Sequence, residues 1–203
     1  DSFRQTDDAF ATSHKQEIVD VDFQHRFPLP FNQSVIYGFG YRYNPTTLGD
    51  SAIFKYTVHD RGLQTASGFL QDEIRFLDDR LKLNLGTKIE RNEYTGFEFQ
   101  PSARLLFTPT PSQSMWAAAS RATRTPNLSE DAIGLGLLPL AGPVFPRIMG
   151  NAAFKSEELW AYELGYRVQP HRNVSFDTSV FYHLYHDLRV TVPGAVIPRP
   201  PAI

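Results

Sequence analysis

The sequence lacks cysteine, a strong charge of either sign and any apolar run long enough for a transmembrane helix. Without cysteine, the chain has no disulfide scaffold, no thiolate zinc site and no cysteine nucleophile. The 20 Lys and Arg residues nearly balance the 22 Asp and Glu residues, so no basic excess is available to neutralise nucleic-acid phosphates. The longest uncharged apolar run, residues 132–146, contains Pro139, Pro143 and Pro146, which exclude a membrane-spanning helix there.

The length of 203 residues suffices for one large domain or for a piece of a larger one. Residues 1–4 provide neither the basic region nor the apolar core of a signal peptide. We therefore expect either a cytoplasmic protein or a processed or incomplete chain that does not include its export signal.

Hydrophobicity alternates with a period of two along most of the chain. In residues 81–90, leucine, threonine and isoleucine alternate with lysine, asparagine, glycine and glutamate. Because successive side chains of a strand point to opposite faces, this alternation predicts β-strands with one apolar and one polar face. The alternative for Ser13 to Gln16 is a helix cap. In the predicted strand 64–77, Asp72 falls on a face that is otherwise apolar. Eight strands are predicted, at residues 14–27, 34–43, 64–77, 81–94, 97–108, 114–125, 156–169 and 174–190.

The connections between these strands differ in length. Long predicted strands with short connections at one end and long ones at the other favour an antiparallel transmembrane β-barrel over a soluble β-sandwich. Aromatic residues cluster toward the strand ends as in interfacial girdles, although aromatics are enriched in every sheet. The apolar face would then contact lipid and the polar face would line a lumen. The short connections are residues 28–33, 78–80, 92–96, 109–113 and 170–173, and the long ones are residues 44–63, 125–155 and those after Asp187; residues 92–96 are the exception to the alternation.

The residues do not assemble a recognisable catalytic or metal site. His183 and His186 are three residues apart on a predicted strand, so they point to opposite faces and cannot share one metal ion. Glu157 and Glu163 share a face but lie about 20 Å apart along an extended strand, too far for the carboxylate pair of a glycosidase. We therefore predict that the chain is not an enzyme, and we expect no cofactor and no metal.

Several segments resemble the β-barrel of TonB-dependent outer-membrane receptors. Residues 120–127, Ser-Arg-Ala-Thr-Arg-Thr-Pro-Asn, resemble the family stretch Ser-Arg-Ala-x-Arg-Thr-Pro-Ser. Residues 156–167 are similar to the family strand Ser-Glu-x-Leu-x-x-Tyr-Glu-x-Gly-Tyr-Arg, and residues 181–188 are similar to the Phe-Tyr-x-x-Tyr-x-Asp-Leu strand that follows it. Residues 83–104 match a preceding hairpin, and the four pieces occur in the order and spacing of the family.

The resemblance implies a barrel of about 22 strands, plugged by an N-terminal domain, in the outer membrane of a Gram-negative bacterium. It implies active import of a scarce ligand, a ferric siderophore or a cobalamin-like compound, with energy from the TonB–ExbB–ExbD complex acting through the plug. No plug, TonB box or closing strand is recognisable, so we expect residues 1–203 to be a barrel fragment of about eight strands within a longer receptor, surrounded by outer-membrane lipid. The alternatives are a passive porin-like barrel and a soluble all-β ligand-binding module.

The candidate ligand-binding residues lie in and before the long connection 125–155. Arg121 and Arg124 end a predicted strand, so they are candidates either for binding an anionic ligand or lipid phosphate or for anchoring the strand end. The apolar middle of the connection contains Leu135, Leu137 and Leu138, which either contact ligand or pack within the loop. Eight charged residues of the polar face are expected either to be solvated or to contact the plug and guide ligand: Lys82, Lys88, Glu90, Glu98, Arg104, Glu163, Arg167 and Asp177.

Overall fold

The computed structural model of the chain describes residues 2–4, 13–51, 54–136, 147–192 and 194. Within these residues the fold is nearly all β, with thirteen strands and one helix of five residues, α1 (Leu128–Ala132). The strands are β1 (Ser2–Arg4), β2 (Ser13–Gln16), β3 (Val19–Leu29), β4 (Gln33–Gly49), β5 (Phe54–Tyr56), β6 (Asp60–Phe76), β7 (Leu81–Asn92), β8 (Gly96–Thr110), β9 (Gln113–Arg124), β10 (Ile133–Gly136), β11 (Arg147–Met149), β12 (Glu157–His171) and β13 (Val174–His186). No helix in these ranges is long and apolar enough to cross a membrane.

Ten of the strands form one antiparallel sheet, which we call the wall. Its order is β1-β2-β4-β6-β7-β8-β9-β12-β13, with β3 paired to the first part of β4 and β2 to its last part. When β1 is left out and β2 and β3 are counted as one interrupted ribbon, the ten strands form eight long ribbons. These ribbons correspond to the eight predicted strands, so the predicted all-β antiparallel fold is confirmed.

The interruption between β2 and β3 has a local cause in the neighbouring strand. Glu17 donates its backbone N–H to the Pro45 carbonyl oxygen of β4 at 3.1 Å. Pro45 has no N–H to return, because its nitrogen is closed into the ring. The ladder therefore weakens at this level, and the chain leaves regular pairing for two residues before β3 begins.

The register gives the wall one continuous apolar face. Leu83 pairs with Leu105, and Leu105 pairs with Ala117. Ala117 pairs in turn with Leu164, so these side chains form one row across four strands. Leu164 remains 63 % exposed, and only Val35, Leu48 and Ala132 are buried among the apolar side chains that the structure describes. Within those residues the wall is a single layer, without the second layer that a soluble β-sandwich requires.

Two predictions about strand ends are wrong. β4 continues to Gly49 and β6 begins at Asp60, so the connection predicted at residues 44–63 shortens to residues 50–59. Asn44 and Pro45 are turn formers by type, but they remain paired with Leu63 and Gly62 of β6, so β4 continues through them and only its pairing with β2 and β3 is interrupted. Ser13 to Gln16 form a strand that pairs with the end of β4, and not a helix cap.

The connections separate by length between the two ends of the wall, as predicted. Residues 30–32, 77–80, 111–112 and 172–173 are short and lie at one end, which we call the turn end. The connections 50–59 and 125–156 lie at the other end, which we call the loop end, together with the residues after β13.

The connection between β7 and β8 is the predicted short exception at the loop end. The Asn92 side-chain oxygen accepts the backbone N–H groups of Tyr94 and Thr95, both at 2.9 Å. Gly96 then adopts a φ of 81°, in the left-handed region that favours glycine. Together these bonds close the turn without further residues.

Trp116 on the polar face packs over Gly165 of the neighbouring strand. Its Nε1 donates to the Glu163 carboxylate at 2.7 Å, and this bond holds the indole flat against the sheet. A Cβ atom on Gly165 would overlap the indole ring. The site therefore requires glycine for space and not for backbone conformation.

We expect Gly165→Ala to lower the free energy of unfolding by about 1–3 kcal/mol, the usual cost of overpacking, and to shift the tryptophan emission. The measurement is a urea unfolding curve followed by intrinsic fluorescence. Gly68→Ala is the matched control, because its nearest neighbour to a new Cβ, the Gly38 carbonyl oxygen, is 3.8 Å away. Equal losses in both variants would contradict the steric explanation.

Candidate ligand-contacting site at the loop end

A small second sheet joins the two long connections of the loop end. β10 is its central strand and pairs with β11 on one side and β5 on the other. β5 belongs to the connection 50–59, whereas α1, β10 and β11 belong to the connection 125–156. We call β5, α1, β10 and β11 together the cap. The predicted loop 125–155 is therefore partly regular structure.

A reciprocal pair of hydrogen bonds starts the helix of the cap. The Asn127 side-chain oxygen accepts the backbone N–H of Glu130, and the Glu130 carboxylate accepts the backbone N–H of Asn127, both at 3.0 Å. This is the arrangement of a capping box, in which two unpaired N–H groups at a helix start are satisfied at once. It fixes the Glu130 side chain beside the end of β9.

Glu130 is the centre of an ion-pair network. Glu130 is 8 % exposed, and its carboxylate receives two hydrogen bonds from Arg124, at 3.1 and 3.2 Å, and a further bond from Arg189. Arg124 also donates to Glu157 of β12 at 2.7 Å. Burial alone would raise the pKa of Glu130, but the bonds from Arg124 and from the Asn127 N–H, with the nearby charges of Arg124 and Arg189, outweigh it and hold the pKa below 4.5.

A second ion pair attaches the cap to another part of the wall. Asp131, beside Glu130, accepts a hydrogen bond from Arg61 of β6, and its side chain is 9 % exposed. The Arg61 guanidinium also lies over the Tyr94 ring, 5.0 Å from its centroid. Burial raises the pKa of the Tyr94 hydroxyl. The cap therefore contacts β6 and β9, and Arg61 of β6 in turn contacts the β7–β8 connection.

The contact residues of the wall project from its polar face. Arg61 pairs with Thr46, and Arg124 pairs with Glu157, which alternation places on the same face as Glu163. β6 and β9 are three strand spacings apart, or about 14 Å. The cap thus binds the polar-face side of the wall at the loop end, at both β6 and β9.

The two predicted arginines lie on opposite faces of β9. Arg121 projects from the apolar face, where it donates to Glu158 at 3.2 Å and to the Phe99 carbonyl oxygen. Arg124 projects from the polar face into the network described above. Each guanidinium is therefore already paired with a carboxylate, and the two do not form one anion site. Their roles in ligand binding stay predictions.

The three predicted leucines are only partly described. Leu135 lies in β10, where its backbone pairs with Phe54 of β5 and Ile148 of β11. Leu137 and Leu138 lie outside the described residues. Their contact with ligand stays a prediction as well.

The eight charged residues that were predicted to face inward all lie on the polar face of the wall. Some are paired there: Arg167 donates to Asp177 at 2.7 Å, and Lys88 donates to Glu90 at 2.7 Å. Glu98 differs from a solvated charge, because it is 6 % exposed and accepts hydrogen bonds from Thr95, at 2.6 Å, and from Ser156.

Glu98 lines a cavity of about 370 Å³ at the loop end. The cavity lies between the β7–β8 connection and the residues that lead into β12. In the part of the chain that the structure describes, no group of three or more His, Cys, Asp or Glu side chains is placed to hold a metal ion. The lining includes Tyr94, Thr95, Phe154, Lys155, Ser156 and Glu158.

The sequence analysis did not identify Arg61, Glu130, Asp131 or Arg189. Glu130 had a usable signal, since Asn127 followed three residues later by Glu130 is a capping pattern. Arg61, Asp131 and Arg189 had no such signal, because their ion-pair partners lie far away in the sequence.

Comparison with known proteins gives a family match by sequence and several solved structures with a similar fold. Residues 1–202 match the sequence profile of the family described as TonB dependent receptor-like, beta-barrel. No curated protein matches the chain.

Solved structures of siderophore receptors have a similar fold. The chain superposes on a mutant of the ferric enterobactin receptor PfeA from Pseudomonas aeruginosa with a TM-score of 0.72 at 17% identity, covering 85% of this chain and 27% of that one. The siderophore receptor PirA from Acinetobacter baumannii gives 0.68 at 16% identity over 86% and 27%, and PirA from Pseudomonas aeruginosa gives 0.69 at 19% identity over 86% and 33%. The chain therefore spans about a quarter to a third of the length of these structures.

We expect the ion pairs of Glu130 to stabilise the cap fully at neutral pH and to be lost in acid. Its pKa in the folded protein lies below the ordinary 4.5, so the folded state binds fewer protons, and stability falls as the pH drops through the folded pKa. The measurement is amide hydrogen exchange of residues 128–136 between pH 7 and pH 3, corrected for intrinsic rates.

Glu130→Gln isolates this carboxyl from the other acids of the cap. The variant should exchange faster at neutral pH and show a smaller change on acidification. A wild-type pH dependence retained in full by the variant would show that another group is responsible.

Proposed function

Since the chain belongs to the family of TonB-dependent receptor β-barrels, we propose that it forms part of the wall of an outer-membrane receptor that imports a ferric siderophore. The family is one of transport receptors and not of enzymes. The observation that carries the proposal is the single-layer wall, whose apolar face remains uncovered while its polar face carries paired charges.

The wall has the properties that a lipid bilayer demands of a spanning structure. Lipid offers no hydrogen-bond partner, so each strand must satisfy its backbone groups by pairing with its neighbours. β6, β7 and β12 do so along both edges, and β8 and β9 pair with each other from Ser102↔Ser120 to the turn end. Their apolar side chains would face acyl chains, and their polar side chains would face an enclosed lumen.

Residues 1–203 would act as one segment of a larger barrel. In the described residues, β13 pairs with β12 alone and β3 pairs with β4 alone, so the sheet is open at both sides. We propose that further strands of the receptor close it and that a plug domain contacts the polar face. The TonB–ExbB–ExbD complex would supply energy through that plug.

The proposed orientation follows the lengths of the connections. Short turns in barrels of this kind lie in the periplasm and longer loops lie outside the cell. The turn end would therefore face the periplasm of a Gram-negative bacterium, and the cap would lie at the extracellular mouth.

A ferric siderophore is the ligand that the relatives favour. PfeA is named a ferric enterobactin receptor, one of its structures is in complex with enterobactin, and PirA is named a siderophore receptor. Leu135, Leu137 and Leu138 remain proposed ligand contacts. Cobalamin-like compounds are the alternative within the same family.

The test of transport uses the full-length receptor that contains this chain, expressed in a strain lacking its own siderophore receptors. We expect uptake of a 55Fe-labelled siderophore that depends on the receptor and on TonB. Labelled cobalamin serves as the competing ligand class in the same assay. Uptake at full rate in a strain without TonB would refute active transport and would favour a porin-like barrel.

The two arginines of β9 should differ in their effect on ligand affinity. Arg124 lies on the polar face, which is the proposed lumen side, and Arg121 lies on the apolar face, which is the proposed lipid side. We therefore propose Arg124 for the anionic ligand and Arg121 for strand anchoring or lipid phosphate. Loss of one charge-assisted hydrogen bond corresponds to a Kd about tenfold higher or more. We expect this change in Arg124→Gln but not in Arg121→Gln, measured by equilibrium binding of the labelled siderophore.

Arg121→Gln is the matched control, because it also removes an arginine of β9 that is paired with a β12 glutamate. An equal loss in both variants would indicate general disturbance of the strand end. If Glu130→Gln alone reproduces the loss, Arg124 acts through the cap and not by direct contact.

A further inference from the structure

The ladder between β8 and β9 stops short of the loop end. The last pair toward that end is Ser102↔Ser120, although both strands continue beyond it. The next pair would place Pro101 opposite Arg121, and Pro101 has no N–H to donate. A gap in the backbone pairing of the wall therefore opens between the two strands above this level.

Side chains span this gap at two levels. At the lower level, Arg121 donates to the Phe99 carbonyl oxygen of β8 and to Glu158 of β12. At the upper level, Ser156, which precedes β12, donates to the Glu98 carboxylate of β8. The cavity of about 370 Å³ adjoins the upper bridge, and its described lining contains no residue of β9. The cavity is therefore a consequence of the early end of the β8–β9 ladder.

Glu98 is a buried carboxylate of this cavity without a cationic partner. It is 6 % exposed, and its Oε1 accepts the hydroxyl groups of Thr95, at 2.6 Å, and of Ser156. Its Oε2 has no hydrogen-bond partner among the described residues. Arg121 is close enough to interact electrostatically with Glu98, but it donates its hydrogen bonds to other groups. A buried charge without a partner is strongly unfavourable, so Glu98 has room for a cation.

The rest of the lining favours an organic cation over a bare metal ion. Ca²⁺ takes about six to eight oxygen ligands, whereas an ammonium group needs only three acceptors and is attracted to aromatic rings. Phe154 and Tyr94 supply rings, and the buried Tyr94 hydroxyl has no hydrogen-bond partner among the described residues. Lys155 also lines the cavity, but it is exposed and forms no ion pair in the described part of the chain, and Asp187 offsets its charge.

We propose that this cavity binds a primary ammonium group carried on an alkyl chain, with Glu98 as its counter-ion. The ammonium donates charge-assisted hydrogen bonds to Glu98, and the alkyl chain contacts Phe154 and the neighbouring alanines of the lining. A cavity of about 370 Å³ lies within the range of small-molecule sites. The site is separate from the Glu130 network, where the carboxylates are already paired with arginines, and it does not depend on the proposed transport.

The first test titrates the full-length receptor, in nanodiscs of zwitterionic lipid, with n-butylammonium and with its neutral analogue N-butylacetamide. Saturation-transfer difference NMR of the probe reports binding, with empty nanodiscs subtracted. We expect saturable binding of the ammonium alone. Its Kd should be about tenfold higher in Glu98→Gln, which keeps an acceptor for Thr95 and Ser156 but removes the charge. Equal binding of the two probes, or an unchanged Kd in the variant, would overturn the proposal.

Glu90→Gln is the matched control. Glu90 pairs directly with Glu98 across β7 and β8, so this variant removes the same charge from the same part of the polar face. Glu90 is bonded to Lys88 and does not line the cavity, so the Kd should stay within about twofold of the wild type. A loss as large as that in Glu98→Gln would show a response to the general charge of the wall and would also overturn the proposal. The comparison of the two probes needs only the wild type, so it decides even if Glu98→Gln does not assemble.

A second titration distinguishes the source of the ammonium group, and only this part rests on the proposed function. The probes are a ferric trihydroxamate siderophore with a free primary amine and its N-acetylated form, which lacks the positive charge. Binding of the amine form about fivefold tighter, with this preference lost in Glu98→Gln, would assign the site to the imported ligand. Equal binding of both forms, with saturable binding of n-butylammonium, would assign it to a free amine. Absence of siderophore binding would count against the proposed function and leave the first test unaffected.

Discussion

The backbone hydrogen-bond ladder is the interaction on which this structure depends. The described residues bury only three apolar side chains, so the wall has almost no core of the usual kind. Its cohesion comes from strands of 11 to 17 residues paired edge to edge. Pairing skips residues at Pro109 and Pro170, both near the turn end, where the loss of an N–H affects the fewest neighbours. Pairing is also lost farther from the turn end: the β8–β9 pairs stop at Ser102↔Ser120, beside Pro101, and β2 and β3 are separated opposite Pro45.

Much of this fold could be predicted because alternation is a local signal. Each strand carries its own two-residue period, and neighbouring apolar faces agree once the strands pair. The end of β4 and the start of β6 were missed because Asn44 and Pro45 resemble a turn, whereas in the structure both residues pair with Leu63 and Gly62 of β6. Asp72, which breaks the apolar alternation, does lie in an apolar row, between Val35 and Leu85.

The loop end was less predictable because its contacts are not local. The Arg61–Asp131 pair joins residues 70 positions apart. Alternation of hydrophobicity does not indicate a partner at such a distance. β5 and β11 have three residues each, too few to show a period. The predicted arginines were correctly placed at a strand end, but their orientation to opposite faces depends on the register of β9 with β12. Only the capping pattern of Asn127 and Glu130 was available in advance.

The two tryptophans of the chain report on opposite sides of the wall. Trp116 lies on the polar face bonded to Glu163, whereas Trp160 lies on the apolar face in register with Leu184. In the proposed membrane-inserted receptor, a fluorescence quencher dissolved among acyl chains and one dissolved in water would therefore reach different indoles. The segment carries a natural pair of optical labels from which insertion and filling of the interior can be followed without any added dye.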